Sequence, residues 1–217
     1  MKAYVITLRG NEYSERVAAR CIGSGCDAGI QVKYFNAVTA DEAAKVMENR
    51  GLKWTWGEYT ARGLKHHSYG GNDAARIGCA MSHYALWEKC AWSGKPLLIL
   101  EHDAVFINPF VAFEFDSACM INDPAGATPR GDFWHEEMVK RGDGVWPKTR
   151  IFTSNRPDGL AGGSAYVLQP HTALHLMELT REIGVWPNDA LLCRQLVDGL
   201  QEHYPFITEV RPEQSTI

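Results

Sequence analysis

No apolar run in this chain approaches the ~20 residues that cross a bilayer as a helix. The opening residues, MKAYVITLRG, hold too short an apolar stretch for the core of a secretion signal. Charge of one sign is also missing: 22 Lys and Arg face 26 Asp and Glu, a net charge of −4. Bulk charge therefore gives no support for non-specific nucleic-acid binding, though it leaves room for a local basic groove. Six cysteines are present, Cys21, Cys26, Cys79, Cys90, Cys119 and Cys193. They form no C-x-x-C pair and match no zinc module. With no export signal they read as reduced, mostly buried thiols of a cytoplasmic protein, in preference to disulfides. G-x-S-x-G is absent, so Ser82 and His83 do not read as part of a hydrolase triad. No internal repeat, low-complexity tract or domain boundary stands out.

What is there is an ordinary globular composition, 45% hydrophobic over 217 residues. That suits a single α/β domain spanning 1–217. Ala3 to Leu8 reads as a buried strand, and Ser14 as the cap of a helix to about Ile22. Gly23, Gly25 and Gly29 then mark a loop before a strand at Gln31 to Phe35. Thr39 and Glu42 form a capping box that opens a helix to about Asn49. This β-α-β-α order builds a parallel sheet. Residues 51–72 carry Trp54, Trp56, Tyr59, His66, His67 and Tyr69 in an irregular insertion. It is either a flap on the acceptor side or a packed surface loop. Asp73 to Ser93 is the strongest helix, stopped by Gly94 and Pro96. Further on the pattern weakens. Phe110 to Cys119 reads as helix, Asp132 to Trp134 as a short strand, and 150–153 as another. Gly159 to Leu168 approaches a strand, Pro170 opens a helix to about Ile183, and Asn188 caps a last helix reaching Gly199. Tyr204 to Val210 is a late strand.

The chain is organised around Pro96 to Phe106, PLLILEHDAVF. Leu97 to Leu100 fit a strand buried on both faces, and Glu101, His102 and Asp103 follow at once. Ligands of open α/β sheets bind beyond the carboxyl ends of strands. Alternation along an extended strand puts Glu101 and Asp103 on one side and turns His102 away. Paired carboxylates there suit a hard divalent cation or a sugar hydroxyl. The plainer reading, a strand running into a polar turn, stays open beside it.

Several blocks together resemble glycosyltransferase family 25, the short enzymes of bacterial lipopolysaccharide assembly and the collagen galactosyltransferase domains. They are YVITLRGNEYSERV, then Lys33 to Val38, then Ile77-Gly-Cys-Ala-Met-Ser-His83 with Trp87, and then the strand with its acids. Gly162 to Val167, Pro187-Asn-Asp189 and the closing Gln214, Ser215 and Ile217 extend the likeness over nearly the whole chain. Two positions depart from the family pattern: Arg76 stands where Glu is usual, and His102 where the acidic triplet usually has Asp. A basic tail is also absent. These departures point to a soluble acceptor, or to an unusual one such as a modified base in phage DNA.

The resemblance implies a GT-A-like, Rossmann-type, mainly parallel sheet flanked by helices. It implies a metal-dependent, inverting transfer from a nucleotide-sugar, a UDP-sugar for preference, to an acceptor glycan or other hydroxyl. Asp103 is then the leading ligand for manganese or magnesium, with Glu101 sharing the metal or holding the ribose. Thr7, Arg9, Arg16, Asn36 and Val38 fall where the base, ribose and diphosphate rest. Ser82 and His83 either bond near the donor or lock their helix to the acid-bearing strand, and His102 is packing beside the donor site. Asp189 is the candidate base that takes the acceptor proton. Gly162 and Gly163 admit a close-lying sugar, and Gln214 and Ser215 close over the diphosphate. A catalytically silent glycan- or partner-binding relative is the alternative. A metal-dependent phosphohydrolase would want more clustered His and Asp ligands than this chain offers.

Overall fold

A computed structural model describes residues 1–57, 61–66, 72–126, 130–150, 155–160 and 163–211. The chain begins β1 (Lys2–Thr7), α1 (Glu12–Asp27), β2 (Val32–Asn36), α2 (Ala40–Glu48). The long helix α3 (Asp73–Ser93) then leads into β3 (Leu97–Glu101) and β4 (Ala104–Phe106). There follow β5 (Ala118–Met120), β6 (Asn122–Asp123), α4 (Gly131–Arg141), β7 (Gly144–Pro147) and β8 (Ala165–Leu168). The chain continues through α5 (Pro170–Ile183), α6 (Asn188–Leu191), β9 (Gln201–Tyr204) and β10 (Thr208–Val210).

Seven strands form one sheet in the order β2-β1-β3-β8-β5-β9-β7. β1 pairs in parallel with both β2 and β3, and β5 with β9. β8 runs against both β3 and β5, and β7 runs against β9. Five strands thus share a direction and two oppose it, which gives a mixed, mostly parallel α/β sheet flanked by helices. A second small sheet, β4-β10-β6, sits beside it.

The apolar run of β3 explains its central place. Leu97 and Ile99 enter one core with Met47, Met81, Trp87 and Leu176 of α2, α3 and α5. Leu98 and Leu100 enter the other, with Ala18 and Cys21 of α1. A strand covered on both faces has no polar side to show, hence the unbroken hydrophobic stretch. Helix α3 keeps the bounds its sequence indicates; the Asn72 side chain caps it at 2.9 Å from the Ala74 amide, and Gly94 ends it at φ +62°.

Several expected boundaries move. Asn11, not Ser14, caps α1, and its carboxamide accepts from the Ser14 amide at 2.9 Å. The Ser14 hydroxyl instead accepts from the Leu8 amide at 3.0 Å. Helix α1 continues through Gly23 and Gly25, because a side chain at Gly25 would meet Val32 Cγ2 at 2.7 Å where helix and strand pack. Residues 132–134 are helical, since Trp134 and Met138 bury on one face of α4. Phe110 to Cys119 is mostly irregular and ends in β5. Helix α6 stops at Leu191, because Leu192 and Arg194 pair their backbones with Leu160 and Asp158. Pro187, not Asn188, stands at its cap. The expected late strand divides into β9 and β10. The expected strand at 150–153 falls largely outside the described residues.

The described part of the insertion packs inward. Trp56 stacks on His66 with ring centroids 4.2 Å apart, and both meet Trp186 edge-on. The Trp186 indole donates to the Thr55 hydroxyl at 3.0 Å. Trp186 lies one residue before Pro187, so the insertion braces the segment that carries Asp189.

Candidate active site

The carboxyl ends of β1, β2 and β3 converge on a cleft of about 140 Å³. Ile6 and Leu8 line it from β1, Ala37 and Val38 from the end of β2, and Glu101 and His102 from the end of β3. Ala75, Cys79, Ser82 and His83 of α3 form the opposite wall. Ser82 fixes one lip: its hydroxyl donates to the Gly78 carbonyl at 2.7 Å and accepts from the Val38 amide at 2.8 Å. Gly78 permits this approach, since a Cβ there would stand 2.6 Å from the Val38 carbonyl oxygen.

Glu101 lies on the α3 side of β3, as the alternation of Leu97 and Ile99 requires. Its Oε1 sits 3.3 Å from His83 Nε2. His83 is fully buried, and its Nδ1 lies 2.8 Å from the Tyr166 hydroxyl of β8. The same hydroxyl accepts from the Trp87 indole at 2.9 Å. Burial works to raise the Glu101 pKa, but the hydrogen bond from His83 leads the effects that outweigh it and hold the acid below its usual range.

The strand does not continue beyond Glu101, and this overturns the alternation argument. His102 and Asp103 form a turn between β3 and β4. His102 therefore faces the cleft instead of turning away. Its Nδ1 lies 3.4 Å from the Ser14 hydroxyl, and Tyr13 meets its ring edge-on. Burial lowers its pKa against the pull of Glu101, so the ring is neutral near pH 7. Asp103 does not line the cleft wall. Its Oδ1 is buried with no hydrogen-bond partner among the described residues. Burial first, and then the charge of Glu101, push its pKa up to about 7, with Arg20 pulling the other way.

Asp189 belongs to the same charge cluster. The Cys79 thiol is pushed well up by burial and then by Glu101, Asp189 and Asp103. The Cys79 thiol donates to Asn188 Oδ1 at 3.6 Å, which ties α3 to α6. Gly159 lies directly under Asp189, whose carbonyl a Cβ would strike. Gly163 is beside it, 3.9 Å from the Asp189 Cβ when its own Cβ is built.

The other expected donor residues are spread more widely. Thr7 is fully buried and its hydroxyl donates to the Val5 carbonyl at 3.2 Å, so it does not face the cleft. Arg9 is exposed, 3.7 Å from Glu15 and over the Tyr34 ring. Arg16 is exposed and covers the Tyr13 ring at 5.4 Å. Asn36 is exposed at the end of β2. Gly162, Gln214 and Ser215 lie outside the described residues. The sequence reading missed Arg20, whose position gave no hint of a neighbour some eighty residues on. It also missed Tyr166, although that residue stands inside the quoted Gly162 to Val167 block.

Two donor sets meet here. Cys79, His83 and Glu101 offer ligand atoms within 4.8 Å of one another. This set suits a metal poorly: the thiol resists ionisation, and both imidazole nitrogens are engaged. Asp103 and Glu101 offer oxygen, which is what manganese and magnesium take, and the orphaned Asp103 oxygen lacks only a partner. In donor chemistry the two carboxylates are the better match for such a cation.

A mostly parallel sheet with acids and a cleft at its carboxyl edge is the layout of a ligand-binding α/β domain. The chain belongs to glycosyltransferase family 25: the model described as Glycosyltransferase family 25 (LPS biosynthesis protein) matches residues 1–124, more than half its length. No curated protein matches it in sequence. Among solved structures it is similar to a Drosophila beta-1,4-galactosyltransferase 7 mutant in complex with manganese, UDP-Gal and xylobiose. That likeness has 7% identity and a TM-score of 0.41, covering 98% of this chain and 71% of that one. It is also similar to the apo form of mouse xyloside xylosyltransferase 1, at 10% identity and TM-score 0.43, covering 93% of this chain and 83% of that one.

Proposed function

We propose that this glycosyltransferase moves a sugar from a UDP-sugar to an acceptor hydroxyl with inversion, and that Asp103 and Glu101 hold the divalent cation the transfer needs. The observation that carries this reading is Asp103. A buried carboxylate oxygen with no hydrogen-bond partner among the described residues, beside a second acid, holds a proton up to about pH 7, and a bound cation would take that proton's place. The cation, manganese or magnesium, acts as a Lewis acid toward the charge that grows on a diphosphate leaving group.

The protein's own groups do the rest. The apolar floor of Ile6, Leu8, Ala37 and Val38 takes a base edge-on, and Ser82 keeps that lip in place. Asp189 takes the proton of the attacking hydroxyl, which an inverting transfer needs on the face opposite the leaving group. Gly163 keeps the sugar's approach to Asp189 open. The acceptor is a glycan or other hydroxyl-bearing molecule, in keeping with the family's lipopolysaccharide description. No observation supports a modified DNA base. Among the described residues no helix is long and apolar enough to cross a membrane.

The second reading is a silent binding relative, which the departures at His102 and Arg76 favour. Calorimetric titration of UDP with and without manganese separates the readings. The transferase binds UDP more tightly with the metal, and Asp103→Asn abolishes that gain. Equal affinity in both conditions would sink the proposal and favour the silent relative.

A further inference from the structure

We propose that Tyr166 is a positioning residue: a one-way hydrogen-bond chain, Trp87 to Tyr166 to His83 to Glu101, fixes the His83 tautomer and aims Glu101 into the cleft. The inference rests on the donor-site reading of Glu101. Its direction follows from chemistry. An indole nitrogen can only donate, so Trp87 donates to the Tyr166 oxygen at 2.9 Å. The Tyr166 hydrogen must then go elsewhere, and among the described residues the acceptor within reach is His83 Nδ1 at 2.8 Å. An accepting Nδ1 leaves the proton on Nε2, which faces Glu101 Oε1 at 3.3 Å.

The other proton arrangements fail. Placing the His83 proton on Nδ1 makes the Tyr166 oxygen accept twice and strands its hydrogen among the described residues, and it puts a lone pair against a carboxylate. A doubly protonated ring leaves the Tyr166 hydrogen with no acceptor in a fully buried place. Tyr166, His83 and Trp87 are all at most 2% exposed, while the Glu101 side chain is 31% exposed and lines the cleft. The chain thus begins in the core and ends at the site. It also removes His83 from the list of metal ligands, because the nitrogen nearest Glu101 carries a proton.

Ring nitrogens of ¹⁵N-labelled protein read this directly. The expected spectrum shows a protonated Nε2 and a lone-pair Nδ1 for His83 near pH 7. A proton on Nδ1, or on both nitrogens, would overturn the chain. Two variants supply a second readout. Tyr166→Phe removes the Tyr166 donor to Nδ1 and little volume; Trp87→Phe removes more volume but leaves the Tyr166-to-His83 bond. The expected order is a donor KM raised about tenfold or more in Tyr166→Phe, with kcat changed far less, and a smaller rise in Trp87→Phe. The reverse order, tracking lost volume, would show mere packing and overturn the positioning role. Wild-type protein that ignored UDP would overturn the donor-site reading and this role with it. A Nδ1-protonated His83 in a UDP-binding protein would overturn the chain alone.

Discussion

Asp103 is ill-suited to its surroundings in the absence of a ligand, and that has a measurable sign. Its pKa is raised from 3.8 to about 7 in the folded chain. The folded state therefore holds a proton that the unfolded chain has released, and stability falls as pH rises from about 4 to about 7. With chelator present, Asp103→Asn should be more stable than the native protein at pH 8 by about 1–3 kcal/mol, and the gap should close by about pH 4. Urea unfolding at both pH values checks this. Manganese has the opposite linkage, because it competes with that proton. Its affinity should climb as pH rises toward about 7 and level off above it, which calorimetry at constant ionic strength can follow. A metal affinity flat between pH 5 and 8 would take Asp103 out of the ligand set.

At the scale of elements, two contacts set where the acids stand. Gly159 lies against the Asp189 carbonyl, so Gly159→Ala must displace α6. Transfer should fall by about tenfold or more while UDP binding with manganese is kept, since misplaced catalytic groups cost rate. Loss of both together would mean that Asp189 does not act alone at the acceptor side. Far from the cleft, Lys148 and Glu202 are both fully buried, 3.1 Å apart, with Lys148 over Trp134 and Glu202 also accepting from Thr149. Glu202→Leu should destabilise by about 3–5 kcal/mol, and adding Lys148→Met should recover most of that. Denaturant midpoints report both.

These elements also show what the sequence disclosed. The β-α-β-α start, the long α3 and the double-sided β3 were legible, because apolar period and end residues such as Gly94 act locally. Helix α4 was misread as strand, since Asp132 to Trp134 is too short to show the Trp134–Met138 spacing. The break after Glu101 was hidden for a different reason. It depends on β4 leaving the main sheet to pair with β10, which arrives about a hundred residues later. The facing of His102 and the separation of Asp103 from the cleft wall follow from that distant pairing. Tyr166 and Trp87 looked like core residues in sequence, and only their meeting at His83 links them to the site.

For the molecule as a whole, one sheet edge gathers an apolar floor, the acids after β3 and a third acid from α6. The mixed sheet makes this possible: β8 comes back antiparallel beside β3, so the chain before it, with Gly159 and Gly163, arrives at the same edge as Glu101. A UDP-sugar held there should raise the melting temperature with manganese present, as ligand binding to the folded state must. The most direct test is the anomalous scattering of manganese in crystals grown with UDP. The expected result is one ion within about 2.3 Å of an Asp103 oxygen. An ion seated at Cys79 and His83, or none near Asp103, would contradict it.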